Sequence, residues 1–293
     1  MFSIIVPSYN RNAEVNALLL SLENQTMKNF EVIVIDDCSP NTIKIDRTFS
    51  FPVKLLRNEI NAGPAKSRNI GAENAQNEWL LFLDDDDRFE NNKCELLAQA
   101  ISENKQANFI YHPAKCEMVN EGFSYITHPL PPEKLTLENI LLANKVGGIP
   151  MIGIKKAFFF EVNGLSTELK SLEDYDFVLK VVSSQNFRPI YVDNPLTLCT
   201  FHTKRSSVST NMENTEKAID IIRERYVKTA EQAHNFKLNS LYILVYPHAM
   251  NLSRKAAKYY FEMFKLSHDL KHLVIAVVTF ISPKLAINLK RFV

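Results

Sequence analysis

Trp79-Leu80-Leu81-Phe82-Leu83-Asp84-Asp85-Asp86-Asp87 sets five consecutive apolar side chains directly before four carboxylates. A continuous apolar run without polar alternation is the pattern of a strand buried on both faces. In open α/β sheets, ligands bind beyond the carboxyl ends of such strands. Four adjacent anions repel one another, and a divalent cation relieves that repulsion; hard carboxylate oxygens with no neighbouring cysteine suit Mg²⁺ or Mn²⁺ rather than zinc. The competing reading is a solvated acidic turn, the usual fate of a like-charge block. An EF-hand is excluded: Asp84, Asp86 and Glu95 stand at its first, third and twelfth positions, but Phe89 replaces the required glycine and Arg88 a ligand.

Outward from this stretch the chain alternates strand with helix. Phe2 to Val6 and Val32 to Ile35 are short β-branched runs, and Val15, Leu18, Leu19 and Leu22 between them mark one face of a helix. Val53 to Leu56 is expected to be a third strand, and a helix carrying Ala65, Ile70 and Ala75 should follow Gly63-Pro64 down to the Trp79 strand. Such alternation implies an α/β fold with a mostly parallel sheet flanked by helices. Pro7-Ser8-Tyr9-Asn10 follows the first strand and Asp36-Asp37 the second, so these two and the acidic tetrad make three polar loops converging on one sheet edge. Taken singly, Tyr9 reads as a packing aromatic and Asp37 as a turn residue. No Gly-x-Gly-x-x-Gly and no Gly-Lys-Ser/Thr loop is present, so a phosphate in this crevice is expected to be neutralised by a metal. Cys116 to Pro132 is rich in turn formers and is expected to be a hairpin or a loop over the site; beyond Asn211 the pattern is helical.

With 293 residues, 46% hydrophobic and 23% charged, the chain can bury a full core and has no compositional mark of disorder. Its net charge of +1 is unevenly spread: residues 254–293 carry +6 and the rest −5. That balance excludes a nucleic-acid-binding body and isolates a basic end. Cys38, Cys94, Cys116 and Cys199 lie far apart and read as reduced thiols of a cytoplasmic protein. Phe2-Ser3-Ile4-Ile5-Val6 opens the chain without the basic flank and apolar core of a secretory signal.

Four motifs then stand in register over residues 1–90: Ser3-Ile4-Ile5-Val6-Pro7-Ser8-Tyr9-Asn10-Arg11, Val34-Ile35-Asp36-Asp37-Cys38-Ser39, Gly63-Pro64-Ala65-Lys66-Ser67-Arg68-Asn69-Ile70-Gly71 and Phe82-Leu83-Asp84-Asp85-Asp86-Asp87. Together they resemble the bacterial, inverting glycosyltransferase family 2, whose fold is GT-A. The resemblance implies a GT-A domain over residues 1–210, with a nucleotide-sugar half to about 90 and an acceptor half to 210, followed by a helical extension over 211–293. It implies that Pro7, Tyr9 and Asp37 cradle the nucleotide base and that Arg68 lies near base or diphosphate. The tetrad corresponds to the family's Asp-x-Asp motif, with Asp86 the best ligand for Mn²⁺ or Mg²⁺, Asp84 beside it and Asp85 disposed to ribose or sugar. The implied donor is a UDP-hexose or UDP-N-acetylhexosamine. The implied acceptor is a glycan or lipid-linked glycan hydroxyl in lipopolysaccharide, O-antigen or capsule synthesis, joined in a β-linkage.

Leu172-Glu173-Asp174-Tyr175-Asp176-Phe177 resembles the family's Glu-Asp motif and makes Asp174 the expected general base, with Asp176 or Glu173 as substitutes. Ser171-Leu172-Glu173-Asp174 also fits a helix capping box. Relatives carry an aromatic-Arg-x-His-x-x-Ser-x-Ser pattern. Registering Ser207-Val208-Ser209 on its end places Lys204 at the histidine; a shifted loop brings His202 to the metal instead, while Lys204 or Arg205 is placed to hold the diphosphate. At the C-terminus, Leu273 to Phe280 is apolar but too short for the roughly 20 residues that span a bilayer. Leu285, Leu289 and Phe292 recur at helical spacing beside Lys284, Lys290 and Arg291, as in a helix lying on the inner face of the cytoplasmic membrane; packing against the catalytic domain or a second subunit of a homo-oligomer is the alternative. Two other functions share parts of this pattern, a sugar nucleotidyltransferase, whose glycine-rich loop is missing, and a non-catalytic glycan-binding module.

Overall fold

Strand β1 (Phe2–Ser8), helix α1 (Asn12–Leu22), strands β2 (Phe30–Asp36) and β3 (Val53–Arg57), helix α2 (Pro64–Asn74) and strand β4 (Trp79–Phe82) follow in that order in a computed structural model that describes residues 1–204 and 211–289. Every residue of β1, β2 and β4 is buried, which is why these segments read as unbroken apolar runs. Burial of each large apolar side chain contributes roughly 1.5–3 kcal/mol relative to exposure. Val15, Leu18, Leu19 and Leu22 are the buried face of α1, as their spacing requires. Helix α2 starts with Pro64 in its first turn and comes close to β1 at Gly71, where a Cβ would lie 2.4 Å from Ile5 Cγ2.

The chain continues through β5 (Arg88–Phe89), α3 (Lys93–Glu103), β6 (Phe109–Tyr111), β7 (Ala114–Met118), β8 (Phe123–Ile126), α4 (Leu137–Leu142), β9 (Ile152–Lys155), α5 (Lys156–Glu161), α6 (Glu173–Val182), β10 (Pro189–Tyr191) and β11 (Thr197–Phe201). Among the described residues, the main sheet has the order β10-β6-β9-β4-β1-β2-β3, with β9 antiparallel to both neighbours and the other pairs parallel. Separate apolar clusters cover its two faces, one containing Ile5, Ile33 and Phe82, the other Ile4, Val34 and Leu81, as the period of two along a strand dictates. A smaller sheet, β5-β11-β7-β8, leans on the site, and its β7–β8 arm is the hairpin expected between Cys116 and Pro132. Fully buried Lys93 ties this sheet to the segment before β9: Nζ donates to the Pro150 carbonyl at 2.8 Å and to Thr197 Oγ1 at 2.9 Å.

Helices α7 (Met212–Tyr226), α8 (Ala230–Met250), α9 (Ala256–Ser267), α10 (Leu270–Ile281) and α11 (Pro283–Asn288) complete the described chain. Thr229 and Gln232 form a full capping box that starts α8. The helix docks on the body through Asn239, which donates to the Tyr175 hydroxyl at 2.9 Å, itself bonded to the Ile140 carbonyl. Ile287 of α11 is buried with Met118 and Met250. No helix among the described residues is long and apolar enough to cross a membrane. Arg205, the Ser207-Val208-Ser209 motif, Lys290, Arg291 and Phe292 lie outside the described residues.

Candidate active site

The carboxyl end of β1 turns at Asn10, whose φ of 56° is left-handed, and the turn points Ser8 and Arg11 at the acidic tetrad. Ser8 Oγ donates to Asp85 Oδ2 at 2.6 Å, and Arg11 Nη1 donates to Asp85 Oδ1 at 2.5 Å and Asp86 Oδ2 at 2.8 Å. Arg68 Nη2 meets Asp84 Oδ1 at 2.6 Å while its Nη1 meets Glu173 Oε1 at 3.0 Å, so one guanidinium joins the tetrad to the first residue of α6. Its Nε is buried with no hydrogen-bond partner. Asp87 is buried, accepts from the Thr200 N–H at 3.2 Å, and is pushed up to about 8 by burial and by the Asp84 and Asp86 charges. Each carboxylate of the tetrad therefore has a different fate, which a bare run of four aspartates cannot announce.

Asp37 is a shaper of the second loop. Its Oδ1 accepts from Asn58 Nδ2 at 2.7 Å and the Ala62 N–H at 2.9 Å, and its Oδ2 from the Gly63 N–H at 2.8 Å, which fixes the entry into α2. Buried Asp36 pairs with Arg57 at 2.6 Å. Tyr9, by contrast, is 47% exposed, an aromatic ring presented at the cleft rather than packed into the core.

Whether the tetrad suits a hard divalent cation can be tested on its oxygens. Asp84 and Asp86 keep about a third of their side chains open, 33% and 38%, whereas Asp85 and Asp87 are buried. Among the described residues no group of three His, Cys, Asp or Glu side chains converges as a closed cage. Asp84 and Asp86 each have one oxygen paired with an arginine, Asp84 Oδ1 with Arg68 and Asp86 Oδ2 with Arg11, and the other oxygen is of the kind that a Mg²⁺- or Mn²⁺-type ion takes alongside water and substrate phosphates. Half-buried His202 borders the same cleft.

The start of α6 overturns the capping-box expectation. Leu172 occupies the N-cap with a left-handed φ of 61° and makes no side-chain cap, and Ser171 Oγ pairs with Thr215 Oγ1 at 3.2 Å instead of with the helix. Asp174 Oδ1 accepts from the adjacent Tyr175 N–H at 2.7 Å, within the first turn, where the helix dipole favours an anion. Burial, and then the Glu173 charge, nevertheless raise Asp174 to about 6, against the pull of Arg68. Gly148 faces it closely, a Cβ there lying 3.6 Å from Asp174 Oδ2. Asp176 points away: fully buried, it holds Arg225 Nη1 at 3.0 Å, Tyr226 Oη at 3.0 Å and Ser166 Oγ at 2.7 Å. It is removed as a substitute base because those partners occupy it on the far side of the helix.

Pro7, Tyr9, Asp37, Arg68, Asp84, Asp85, Asp86, Asp174 and His202, all singled out from sequence, line one cleft of about 730 Å³. Sequence reasoning gave no role to Arg11, Gly148 or Thr200. Arg11 closes the first motif, and Gly147-Gly148-Ile149-Pro150 is a visible turn signal, but Thr200 carries no mark of its contact with Asp86 O at 2.9 Å.

The family model described as Glycosyl transferase family 2 matches residues 3–163. An uncharacterized glycosyltransferase of Haemophilus influenzae is 62% identical over 99% of both chains. The UDP-Glc:alpha-D-GlcNAc-diphosphoundecaprenol beta-1,3-glucosyltransferase WfgD of Escherichia coli is 28% identical, covering 86% of this chain and 96% of its own. Among solved structures, residues 1–349 of S. aureus TarS superpose with a TM-score of 0.58 at 25% identity over 96% of this chain and 80% of that one. The cleft thus sits at the carboxyl edge of the sheet that the GT-A fold shares with TarS, and the chain belongs to glycosyltransferase family 2.

Proposed function

We propose that this glycosyltransferase moves a hexose or N-acetylhexosamine from a UDP-linked donor to a hydroxyl of a lipid-linked glycan, with inversion to a β-linkage. The observation that carries the reading is Asp174, raised to about 6 and lining the same cleft as the tetrad and the strand-end loops. A base is most effective when its pKa lies near the working pH. WfgD, by its name, joins glucose from UDP-Glc to a diphosphoundecaprenol-linked GlcNAc in a β-linkage. TarS has been crystallised with UDP-GlcNAc.

Tyr9, Pro7 and the Asp37 loop receive the nucleotide, and Asp85, locked by Ser8 and Arg11, is the ribose or sugar contact. Asp84 and Asp86, with His202 at the rim, are the residues to hold Mn²⁺ or Mg²⁺, which when bound offsets the charge building on the departing diphosphate. Asp174 takes the proton of the acceptor hydroxyl as its oxygen bonds to the anomeric carbon, and the bond from that carbon to the UDP oxygen breaks on the opposite face. Residues 211–293 serve as an extension, helical in its described part, on a catalytic domain of residues 1–210, and its basic apolar end rests on the inner membrane surface.

The test is incubation with UDP-glucose or UDP-GlcNAc, Mn²⁺ and an alkyl-diphosphate-linked N-acetylglucosamine, followed by proton NMR of the product. A new β-anomeric signal with stoichiometric UDP is expected. Release of pyrophosphate from UTP and a sugar phosphate, without transfer, refutes the reading.

A further inference from the structure

A second cavity, of about 560 Å³, opens on the other side of Asp174, between the catalytic body and the helical extension. It shares Ser171, Leu172, Asp174 and Tyr246 with the first cleft, so an occupant of either space meets the same carboxylate. The walls differ in kind. Leu238, Tyr242 and Tyr246 from α8 and Met263 from α9 make it largely apolar and aromatic. Its cationic group is Lys145, an exposed side chain that forms no salt bridge among the described residues, and His272 in the first turn of α10 is the other titratable cation-former. His272 Nδ1 is fixed against Ser267 Oγ at 2.8 Å. Beyond His272, α10 presents Leu270, Val274, Val277, Phe280 and Ile281, each at least 52% exposed and recurring at helical spacing.

We propose that this second cavity is the acceptor channel, receiving a glycan carried on a lipid diphosphate. The terminal sugar lies against Tyr242 and Tyr246 with its hydroxyl at Asp174, the diphosphate lies between Lys145 and His272, and the hydrocarbon follows the open face of α10 toward the bilayer. Aromatic rings suit the apolar faces of a sugar, the unpaired lysine supplies the charge that a diphosphate needs, and the α10 stripe, beside exposed Lys271, has the make-up of a surface that meets an anionic membrane. Continuity with the first cleft through Asp174 fixes the occupant as the acceptor and not a second effector. This assignment rests on the transferase reading above.

The experiment measures binding of an alkyl-diphosphate-linked N-acetylglucosamine by calorimetry, in the full chain, alongside binding of UDP with Mn²⁺. Tyr242→Ala is expected to weaken the probe tenfold or more and Tyr242→Phe to restore it. Lys145→Glu should weaken the diphosphate probe at least tenfold while leaving an alkyl glycoside of the same sugar within twofold. UDP affinity should stay within twofold in all three, because neither side chain borders the first cleft. Unaltered probe affinity in Tyr242→Ala and Lys145→Glu overturns the channel but leaves donor chemistry standing. Failure of the parent protein to bind the probe while still binding UDP overturns both the channel and the lipid-linked acceptor. Loss of UDP binding in the parent would instead strike at the donor reading.

Discussion

On one side of Asp174 the cleft is fixed by guanidinium–carboxylate pairs, Arg11 with Asp85 and Asp86, Arg68 with Asp84 and Glu173. On the other side the cavity under α8 is walled by Leu238, Tyr242 and Met263. Charged pairs are directional and, when desolvated, hold one geometry; apolar walls impose shape with little angular demand. The difference bears on which substrate each side is proposed to accept. A nucleotide diphosphate presents the same charges in every turnover and suits a rigid ionic frame, whereas an acceptor glycan suits a surface that tolerates variation.

The ionic side should break hardest. Arg68 is almost wholly buried and serves carboxylates on two segments, so Arg68→Met leaves Asp84 and Glu173 without their partner and should cost about 3 kcal/mol or more, read as a lowered denaturation midpoint. Arg11→Met, at a guanidinium 31% exposed, should cost clearly less. Equal losses would erase the distinction between a buried and a partly exposed arginine.

Asp174→Asn belongs to both sides at once. Turnover should fall by about 10²-fold or more with UDP affinity retained. Because the folded environment raises Asp174 to about 6, the carboxyl sheds its proton only as pH rises through that value, and the parent rate should climb about tenfold per unit below it and level off above. An asparagine variant with full kcat, or a flat profile from pH 5 to 7 in the parent, rules Asp174 out as base.

Asp86→Ala sharpens the ionic side alone. Calorimetry of UDP with Mn²⁺ and with EDTA should show at least about a tenfold cation effect in the parent and none in the variant. Identical affinities in the two buffers for the parent protein would remove the metal from the mechanism. On the apolar side, Val274→Glu or Val277→Glu should weaken co-sedimentation with anionic liposomes by about tenfold or less, the scale of one buried valine, without shifting the melting temperature. A falling melting temperature with unchanged sedimentation would mean that the stripe stabilises the protein and does not meet lipid.

The four early strands and both of their helices could be read directly; β1, β2 and β4, buried on both faces, leave continuous apolar runs with polar loops at their ends, and β3, partly exposed, was read from the apolar Val53, Leu55 and Leu56. All nine site residues named from sequence reach one cleft. Contacts between distant segments were not legible. Arg225 reaches Asp176 over 49 positions and Thr200 reaches Asp86 over 114, with no local pattern to mark either pair. The small sheet was hidden for the same reason, since β11 pairs with β5 and β7 across long intervals. Ser171 shows the limit of local rules: its spacing from Asp174 fits a capping box, but Thr215 on a later helix competes for the hydroxyl, and Leu172 takes the left-handed turn in its place.

The Arg68 bridge has a consequence for how the protein comes into being. Its partner Glu173 lies 105 positions downstream, and β9, which flanks β4, is built from residues 152–155. A nascent chain emerging at about 5–20 residues per second therefore holds the acidic tetrad for several seconds before the carboxylate and the strand that complete its surroundings exist. The motifs proposed to receive the nucleotide come early in the chain, yet a ribosome-bound fragment ending before α6 should not bind UDP as the finished protein does. On the proposed reading, donor recognition is acquired late in synthesis, together with the proposed base Asp174.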